Sequence, residues 1–391
     1  MIVGGGVAGC ATALGLARAG MPDVLVLEAR DAPGFRVGET VPPACASVLH
    51  RFGLWETFLA ADHVPSPGTC ASWGKADLGY NDFLLDPERR GWHLDRPRFE
   101  AMLAEAVTDR GGTLLRGMRL RDVAPRAGGG WSLGLEHGGG VSRVDAGFLV
   151  DASGAAAAAA RRLGVARNAI DCLMVIHAVF DLDEPAAVPA RTFLEAAEYG
   201  WWYAARLPGG QLIAALSTDR PTLRESRLAE PAVWHAALRR TQHVAPLLAR
   251  GQASGTPDPD IAIAPSAILS RVTGPLWTAV GDAASSYDPL TSQGITKALL
   301  DGEAAAGAIA ASLTLGDAPL LAWQDQVFAG FNRYLELRRH LYGLERRWPE
   351  AAFWRRPLTD RALAHRRHIV GSGLSPHALR ETEFGQASGW N

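Results

Sequence analysis

Lysine is almost missing from this chain: of 39 basic residues, only Lys75 and Lys297 are lysines. The arginine bias reads as a coding preference before it reads as function. Cysteine is scarce as well. Cys10, Cys45, Cys70 and Cys172 form no CxxC pair and no paired framework, which argues against structural zinc and against a disulfide scaffold and fits a reducing compartment. No HxH or HExxH cluster is present, so no metal is expected. No run of about 18 apolar residues stands out, so no membrane span is expected. The chain opens on a strand and a glycine turn rather than a signal peptide, and a cytoplasmic location is the expectation. The net charge of −2 speaks against a nucleic-acid partner.

What is present is an ordinary globular composition, and 391 residues suffice for one large domain or two medium ones. Met1-Ile2-Val3 reads as a short buried strand, residues 8–19 as a helix closed by Gly20, and 24–28 (VLVLE) as a second strand. Strand, glycine turn, helix and strand within 28 residues make a βαβ unit and place the chain in the α/β class. The first strand looks clipped for its kind, so either the natural start lies upstream of Met1 or the strand is simply short. A helix follows Pro42-Pro43, and Pro97 opens another through Arg110, with Phe99, Met102, Leu103, Ala106 and Val107 on one face. Residues 113–150 read as a β-meander and the alanine run 155–160 as a helix, since alanine has the highest helix propensity. Residues 172–182 and 211–217 read as strands of a second sheet, 276–281 as a buried strand, 294–312 as a long helix and 319–391 as mostly helical, without repeats.

Gly4-x-Gly6-x-x-Gly9 lies between the first strand and the first helix. Gly4 permits the tight turn, Gly6 lets the backbone approach a pyrophosphate, and Gly9 lets helix and strand pack closely; the helix N-terminus then faces phosphate charge. Gly4, Gly6, Ala8 and Gly9 are the expected cofactor-facing positions. Glu28, closing the second strand about 20 residues on, is placed to accept the hydroxyls of an adenosine ribose. This pattern alone does not separate FAD from NAD. Gly281-Asp282-Ala283-Ala284-Ser285 makes the separation, followed by Asp288-Pro289-Leu290 and Ser292-Gln293-Gly294-Ile295 leading into a helix. Asp282 can bond a ribityl hydroxyl. Backbone N–H groups near Gln293, Gly294 and Ile295 can face the flavin N1/O2 edge, where negative charge builds on reduction. Asp151-Ala152-Ser153-Gly154 is a partial match to the DG-type turn that braces a flavin diphosphate.

These three elements resemble the FAD-dependent aromatic hydroxylases of the p-hydroxybenzoate hydroxylase fold. Residues 38–43 (GETVPP) resemble a loop shared by flavin-dependent halogenases and their relatives, and 91–99 (GWHLDRPRF) resemble their W-x-x-DR-x-x-F segment. Residues 201–208 (WWYAARLP), 342–349 (YGLERRWP) and the ending Phe353-Trp354-Arg355-Arg356 resemble the subgroup that matures tryptophylquinone enzymes. The resemblance covers nearly the whole chain. It implies a Rossmann-like FAD domain of the two-dinucleotide-binding type (1–62, 93–168 and 266–315), an inserted β-sheet substrate domain (63–92 and 169–265) and a helical C-terminal region (316–391).

The resemblance further implies a monooxygenase that forms a C4a-hydroperoxyflavin with O₂ and hydroxylates a tryptophan of a partner polypeptide, in biogenesis of cysteine tryptophylquinone. The electron source is NAD(P)H or an external flavin reductase. Arg36, Glu39 and Arg96 are implied near FAD and Pro289 near the flavin ring. Trp73, Trp201, Trp202 and Tyr287 are candidate substrate-chamber residues; His93 and Glu39 are the catalytic candidates. His177, in an apolar run, reads as a core histidine. Two departures speak against halogenation. The W-x-W-x-I-P segment is replaced at Trp201-Trp202-Tyr203, and Lys75 is displaced from the position of the lysine that takes up hypohalous acid. The alternatives are a hydroxylase or halogenase of free aromatics, and an FAD-binding maturation scaffold without redox turnover. Nine arginines against three acids between Arg338 and His368 read either as a solvated helical face or as a docking surface for an acidic partner.

Overall fold

In the computed structural model, residues 1–358 apart from Pro33 and Phe35 are described. They form two compact units. The first comprises Met1–His63, Leu94–Ala169 and Ser266–Tyr334; the second comprises Val64–His93, Ile170–Pro265 and the described residues from Leu335.

The first unit is built on a six-stranded sheet in the order Thr273–Gly274, Trp277–Ala279, Leu149–Asp151, Ile2–Val3, Leu25–Leu27 and Thr113–Leu115. All neighbours are parallel except the Thr273–Gly274 hairpin. Ile2-Val3, Val26-Leu27 and Leu149-Val150-Asp151 are buried, as strands covered on both faces must be. The first helix, Val7–Arg18, has its first ten residues buried. It packs through small residues on the turn at Gly281 and on the long helix Gly294–Leu315. A β-carbon placed on Gly281 would lie 2.6 Å from that of Ala8, one on Gly302 2.6 Å from that of Ala11, and one on Gly15 2.6 Å from that of Ala306. The helix Arg96–Asp109 starts where expected: the Asp95 carboxylate accepts from Arg98 N–H at 2.9 Å, with a proline in the first turn. The meander consists of Arg119–Pro125, Trp131–His137 and Gly140–Ala146, all antiparallel.

Two expectations need correction. The alanine run is not one helix. Ala157 is left-handed (φ 43°) between a 3-10 turn, Gly154–Ala156, and a short helix, Ala158–Arg162. Hydrogen bonds decide against propensity here: Ser153 Oγ accepts from Ala158 N–H and Asp151 Oδ2 from Ala160 N–H, which fixes the helix start. And by length and composition one helix among the described residues, Gly294–Leu315, is apolar enough to cross a membrane, with a mean hydropathy of 1.3. Alanine and glycine raise that value without forming a visible run of large apolar residues.

The second unit is an eight-stranded sheet. Its main path runs Ala253–Ser254, Leu173–Leu182, Gln211–Asp219, Gly200–Leu207, Thr192–Ala197, Gly68–Ser72 and Gly79–Asp82, with Asp260–Ile263 also paired to Leu173–Leu182. Helices Pro231–Arg239 and Ala245–Arg250 contribute Trp234, Leu238 and Leu247 to a core that includes Ile176, Trp202, Leu212 and Leu216. The described residues from 316 onward are not a compact region of their own. Helix Ala318–Leu344 belongs to the first unit up to Tyr334 and to the second from Leu335. Residues 359–391 lie outside the described residues.

Candidate functional site

The glycine turn is defined by what its backbone leaves no room for. Gly4 has φ +112°, and a β-carbon there would lie 2.2 Å from Ala152 O; one on Gly9 would lie 1.9 Å from Gly4 O. Gly6 differs. The nearest atom to its missing β-carbon is Arg36 Nη1 at 3.6 Å, so this glycine leaves an open approach to the backbone at the helix start. Ala8 is buried on the first helix, where it meets Gly281. Glu28 is buried and fixed: Oε2 accepts from Gly5 N–H at 2.9 Å and Oε1 from Arg30 N–H at 3.0 Å. Each oxygen keeps a further lone pair, so the carboxylate can still accept hydroxyls. Gly5 and Glu28 line a pocket with Arg30, Ala32, Arg36, Glu100 and Arg116. Arg30, Glu100 and Arg116 are absent from the sequence-based expectations, because no local pattern marks them.

Arg96 is buried; its guanidinium donates to Gly38 O and to Glu100 Oε1, both at 2.6 Å. Arg36 lies 4.0 Å from the same Glu100 carboxylate. The Nε–H groups of Arg36 and Arg96 are both buried and have no acceptor among the described residues. Two orphaned cationic donors, with Arg36 over an open glycine at a helix start, suit a pyrophosphate. Glu39 is buried in the Gly38–Pro43 loop, and its carbonyl accepts from Leu94 N–H.

The other two motifs converge on the same unit. Asp151 is fully buried and accepts from Ser153 N–H, Ser153 Oγ–H and Ala160 N–H, so its carboxylate builds the turn that presses Ala152 O against Gly4. Gly281–Ala283 is a 3-10 turn with Gly281 at φ +58°. Asp282 is surrounded by protein atoms yet open to solvent; burial pushes its carboxyl pKa up, opposed by Lys297 and Arg167. Asp288 is buried and its carboxylate accepts from Leu290 N–H, shaping the Pro289–Thr291 turn. Gln293 and Gly294 are exposed at the start of the long helix, Ile295 is buried, and nothing lies within 4 Å of a β-carbon placed on Gly294. Three backbone approaches, at Gly6, Asp282 and Gly294, thus belong to one unit and fit a flavin dinucleotide.

The aromatic candidates divide. Trp201 and Trp202 point to opposite faces of their strand. Trp201 meets Trp73 at 6.5 Å and donates from Nε1 to Tyr342 Oη at 3.1 Å; Trp73 also meets Trp354 at 5.2 Å and donates to Leu341 O. Trp202 instead packs against Trp234 at 5.3 Å inside the core, so its expected place in a substrate chamber is corrected. Tyr287 belongs to the first unit, stacked on Tyr334 at 4.1 Å. His93 is corrected too. It is fully buried, Nδ1–H donates to Arg206 O at 2.8 Å, and Nε2 accepts from Thr192 Oγ1–H at 3.0 Å. Burial drives its pKa down to about 4. A neutral imidazole with both nitrogens engaged is a strut, not an acid–base group.

The C-terminal motif anchors the second unit. Glu345 accepts from Gly74 N–H at 2.8 Å and from Arg347, which also donates to Ser72 O. Among the six described arginines from Arg338 to Arg356, four are paired with acids: Arg338 with Asp171, Arg347 with Glu345, Arg355 with Glu350 and Arg356 with Asp219. Four of the nine arginines expected to form a basic surface are thus engaged by acids; Arg361, Arg366 and Arg367 lie outside the described residues. Lys75 is exposed, whereas Lys297 is bound to Asp301 and Gly281 O. Among the described residues no group of His, Cys, Asp and Glu could hold a metal.

Residues 1–323 match the family of FAD binding domains. The chain is 29% identical over 93% of its length to LodB of Marinomonas mediterranea, a presumed FAD-dependent oxidoreductase, covering 98% of that protein. It is 26% identical to the 1H-pyrrole-2-carbonyl-[peptidyl-carrier protein] chlorinase of Pseudomonas fluorescens, over 79% of this chain and 75% of that one. Two solved structures are each 25% identical. The flavin-dependent halogenase CmlS superposes with a TM-score of 0.83 (93% of this chain, 69% of that one). QhpG, a peptidyl tryptophan dihydroxylase essential for tryptophylquinone cofactor biogenesis, superposes with a TM-score of 0.72 (91% and 77%).

Proposed function

The chain belongs to the FAD binding domain family, in the superfamily of flavin-dependent monooxygenases and halogenases, and from that premise we propose that it hydroxylates a tryptophan of a partner polypeptide during maturation of a tryptophylquinone cofactor. The observation that carries this reading is the likeness to the peptidyl tryptophan dihydroxylase over 91% of the chain. The near end-to-end match to LodB, of almost the same length, supports the FAD-dependent redox part of the reading.

FAD supplies the activation of O₂ and the delivery of oxygen to an electron-rich ring. The protein's part is to hold and orient. Gly6, Arg36 and Arg96 would take the pyrophosphate, Glu28 the adenosine ribose, Asp282 the ribityl chain, and the helix start at Gln293, Gly294 and Ile295 the pyrimidine edge, with Pro289 beside the ring. Glu39 remains the candidate for handling a proton. Trp73 and Trp201 are the aromatic side chains offered to the substrate. Reduction by NAD(P)H or by flavin from an external reductase, and a cytoplasmic setting suited to four free thiols, complete the proposal.

Halogenation is the second reading, favoured by the superposition on CmlS. Against it stand the two lysines, one exposed and one already engaged by Asp301 and Gly281. Both readings meet in one experiment. The protein is incubated with a tryptophylquinone-enzyme precursor, FAD, a reductant, O₂ and chloride, and the peptide is analysed by mass. One or two oxygen atoms on tryptophan are expected. A peptide that returns unmodified, or carries chlorine, overturns the proposal.

A further inference from the structure

We propose that Arg167 and Lys297 act as positioning residues, a two-cation clamp that grips the carbonyls of Gly281, Asp282 and Ala283 from one side and so presents the Asp282 carboxylate to the polyol chain of a flavin. The inference rests on the FAD reading above and adds the device that sets the geometry.

A three-residue 3-10 turn satisfies few of its own carbonyls. In this one all three meet cations. Lys297 Nζ donates to Gly281 O at 3.1 Å; Arg167 Nη1 donates to Asp282 O at 2.9 Å and to Ala283 O at 3.3 Å. Arg167 continues to the exit of the turn, where Nη2 donates to Ser286 Oγ at 2.7 Å. Both cations are fixed by structure rather than left on flexible stems. Arg167 starts the strand Arg167–Ala169, which pairs with Ala267–Leu269, which in turn pairs with Ser285–Ser286 just after the turn. Lys297 sits one turn into the long helix, held by Asp301 at 2.6 Å with only 10% of its side chain exposed, and 5.1 Å over the ring of Tyr287, itself stacked on Tyr334. With the first helix pressed against Gly281, the turn is held on its other flank as well.

The arrangement has an electrostatic consequence. Asp282 faces Lys297, Arg167 and Arg96 as cations and Asp301 as an anion. Burial alone favours its protonated form, and the two clamp cations oppose that. Each cation therefore does two things for a ligand hydroxyl: it fixes the acceptor in place and keeps it ionised.

The test uses the full chain stripped of flavin, as wild type, R167M, K297M and the conservative R167K and K297R. Each is titrated from pH 5 to 9 with FAD, with riboflavin (the ribityl half) and with ADP (the adenosine half). The clamp predicts that each methionine variant loses about tenfold in affinity for FAD and riboflavin, as expected for one charge-assisted contact. ADP affinity stays at the wild-type value, and the pH at which FAD binding fails moves upward. R167K, which cannot span two carbonyls, shows a smaller loss of the same kind. Methionine variants with wild-type FAD affinity and pH profile overturn the clamp. So does an equal loss of ADP and FAD, which would mark a general structural fault. If the methionine variants do not fold, R167K and K297R decide, and wild-type flavin binding by both overturns the proposal. A wild type that binds ADP but not FAD would instead overturn the flavin reading on which the clamp rests.

Discussion

The glycine turn of the first unit and the aromatic cluster of the second are built by opposite means. The turn is made by the main chain, and its specificity lies in where side chains are forbidden: at Gly4 and Gly9 the space of a β-carbon is already taken by carbonyl oxygens. The cluster is made by large side chains, Trp73, Trp201, Tyr342 and Trp354, joined edge to face and by a hydrogen bond from indole to phenol. A site made by exclusion tolerates no substitution but is spelled out in sequence. A site made by packing spreads its energy over many partners and is written nowhere in particular.

The largest effect that would test this contrast is at Gly9. Gly9→Ala is expected to give no folded first unit, or to cost more than about 4 kcal/mol, since the new carbon must displace a backbone carbonyl. Gly6→Ala, with 3.6 Å to the nearest atom, is expected to fold normally and to lose only FAD affinity. Thermal unfolding paired with FAD titration reads both, and equal melting temperatures for the two variants would break the distinction. Next come the adjacent tryptophans. Trp202→Ala should cost about 3–5 kcal/mol in denaturant unfolding as a core truncation, and Trp201→Phe about 1–2 kcal/mol for one lost hydrogen bond and some packing. A reversed order would mean that the faces have been misread.

Each unit also carries a buried neutral histidine with a strongly lowered pKa, His63 in the first and His93 in the second, both driven by burial from 6.5 to about 4. Their folded pKa lies below the unfolded one, so the unfolded chain takes up the proton first. Stability is therefore full above pH 6.5 and falls as pH drops towards 4, by about 3 kcal/mol for each histidine. His93→Gln should flatten that limb for the second unit and His63→Gln for the first, followed by unit-resolved hydrogen exchange. The smallest expected effect is at Glu345. Burial would raise its pKa, but Arg347 and Gly74 N–H hold it below the usual carboxylate range. Its contribution is present above the unfolded pKa and disappears as pH falls through the lower folded value. Glu345→Gln should cost about 1–3 kcal/mol at neutral pH and almost nothing in acid, by urea unfolding at both.

Legibility in the sequence follows the same division. The βαβ start, the long helix and the GD turn are readable because glycines at fixed offsets between a strand and a helix are required by few structures besides a phosphate-binding turn. Glu28 is readable from its distance along the chain, though not its bonds to Gly5 and Arg30. Arg116 and Arg167 are not readable at all: each meets segments far away in sequence, and a lone arginine among 39 basic residues carries no signal. His93 looks chemical because histidine often is, and only its partners, Arg206 O and Thr192 Oγ1, reveal a strut. The C-terminal arginines look like a surface because their counter-charges Asp171 and Asp219 are more than a hundred residues away.

The contacts of Ala8 with Gly281, Ala11 with Gly302 and Gly15 with Ala306 recur along one stripe of the first helix. Long side chains can absorb a misfit by turning to another rotamer; methyl groups and bare backbone cannot. The stripe is therefore an incompressible gauge that holds the first helix against the Gly281 turn at one point and the long helix at two. It sets how far the helix start at Val7 stands from the one at Gly294, and a single added methyl group at any of the three points would be passed on undiminished as a change of that spacing. Selection acting on either end of a bound dinucleotide would then be felt in the middle of helices that meet it only at their starts.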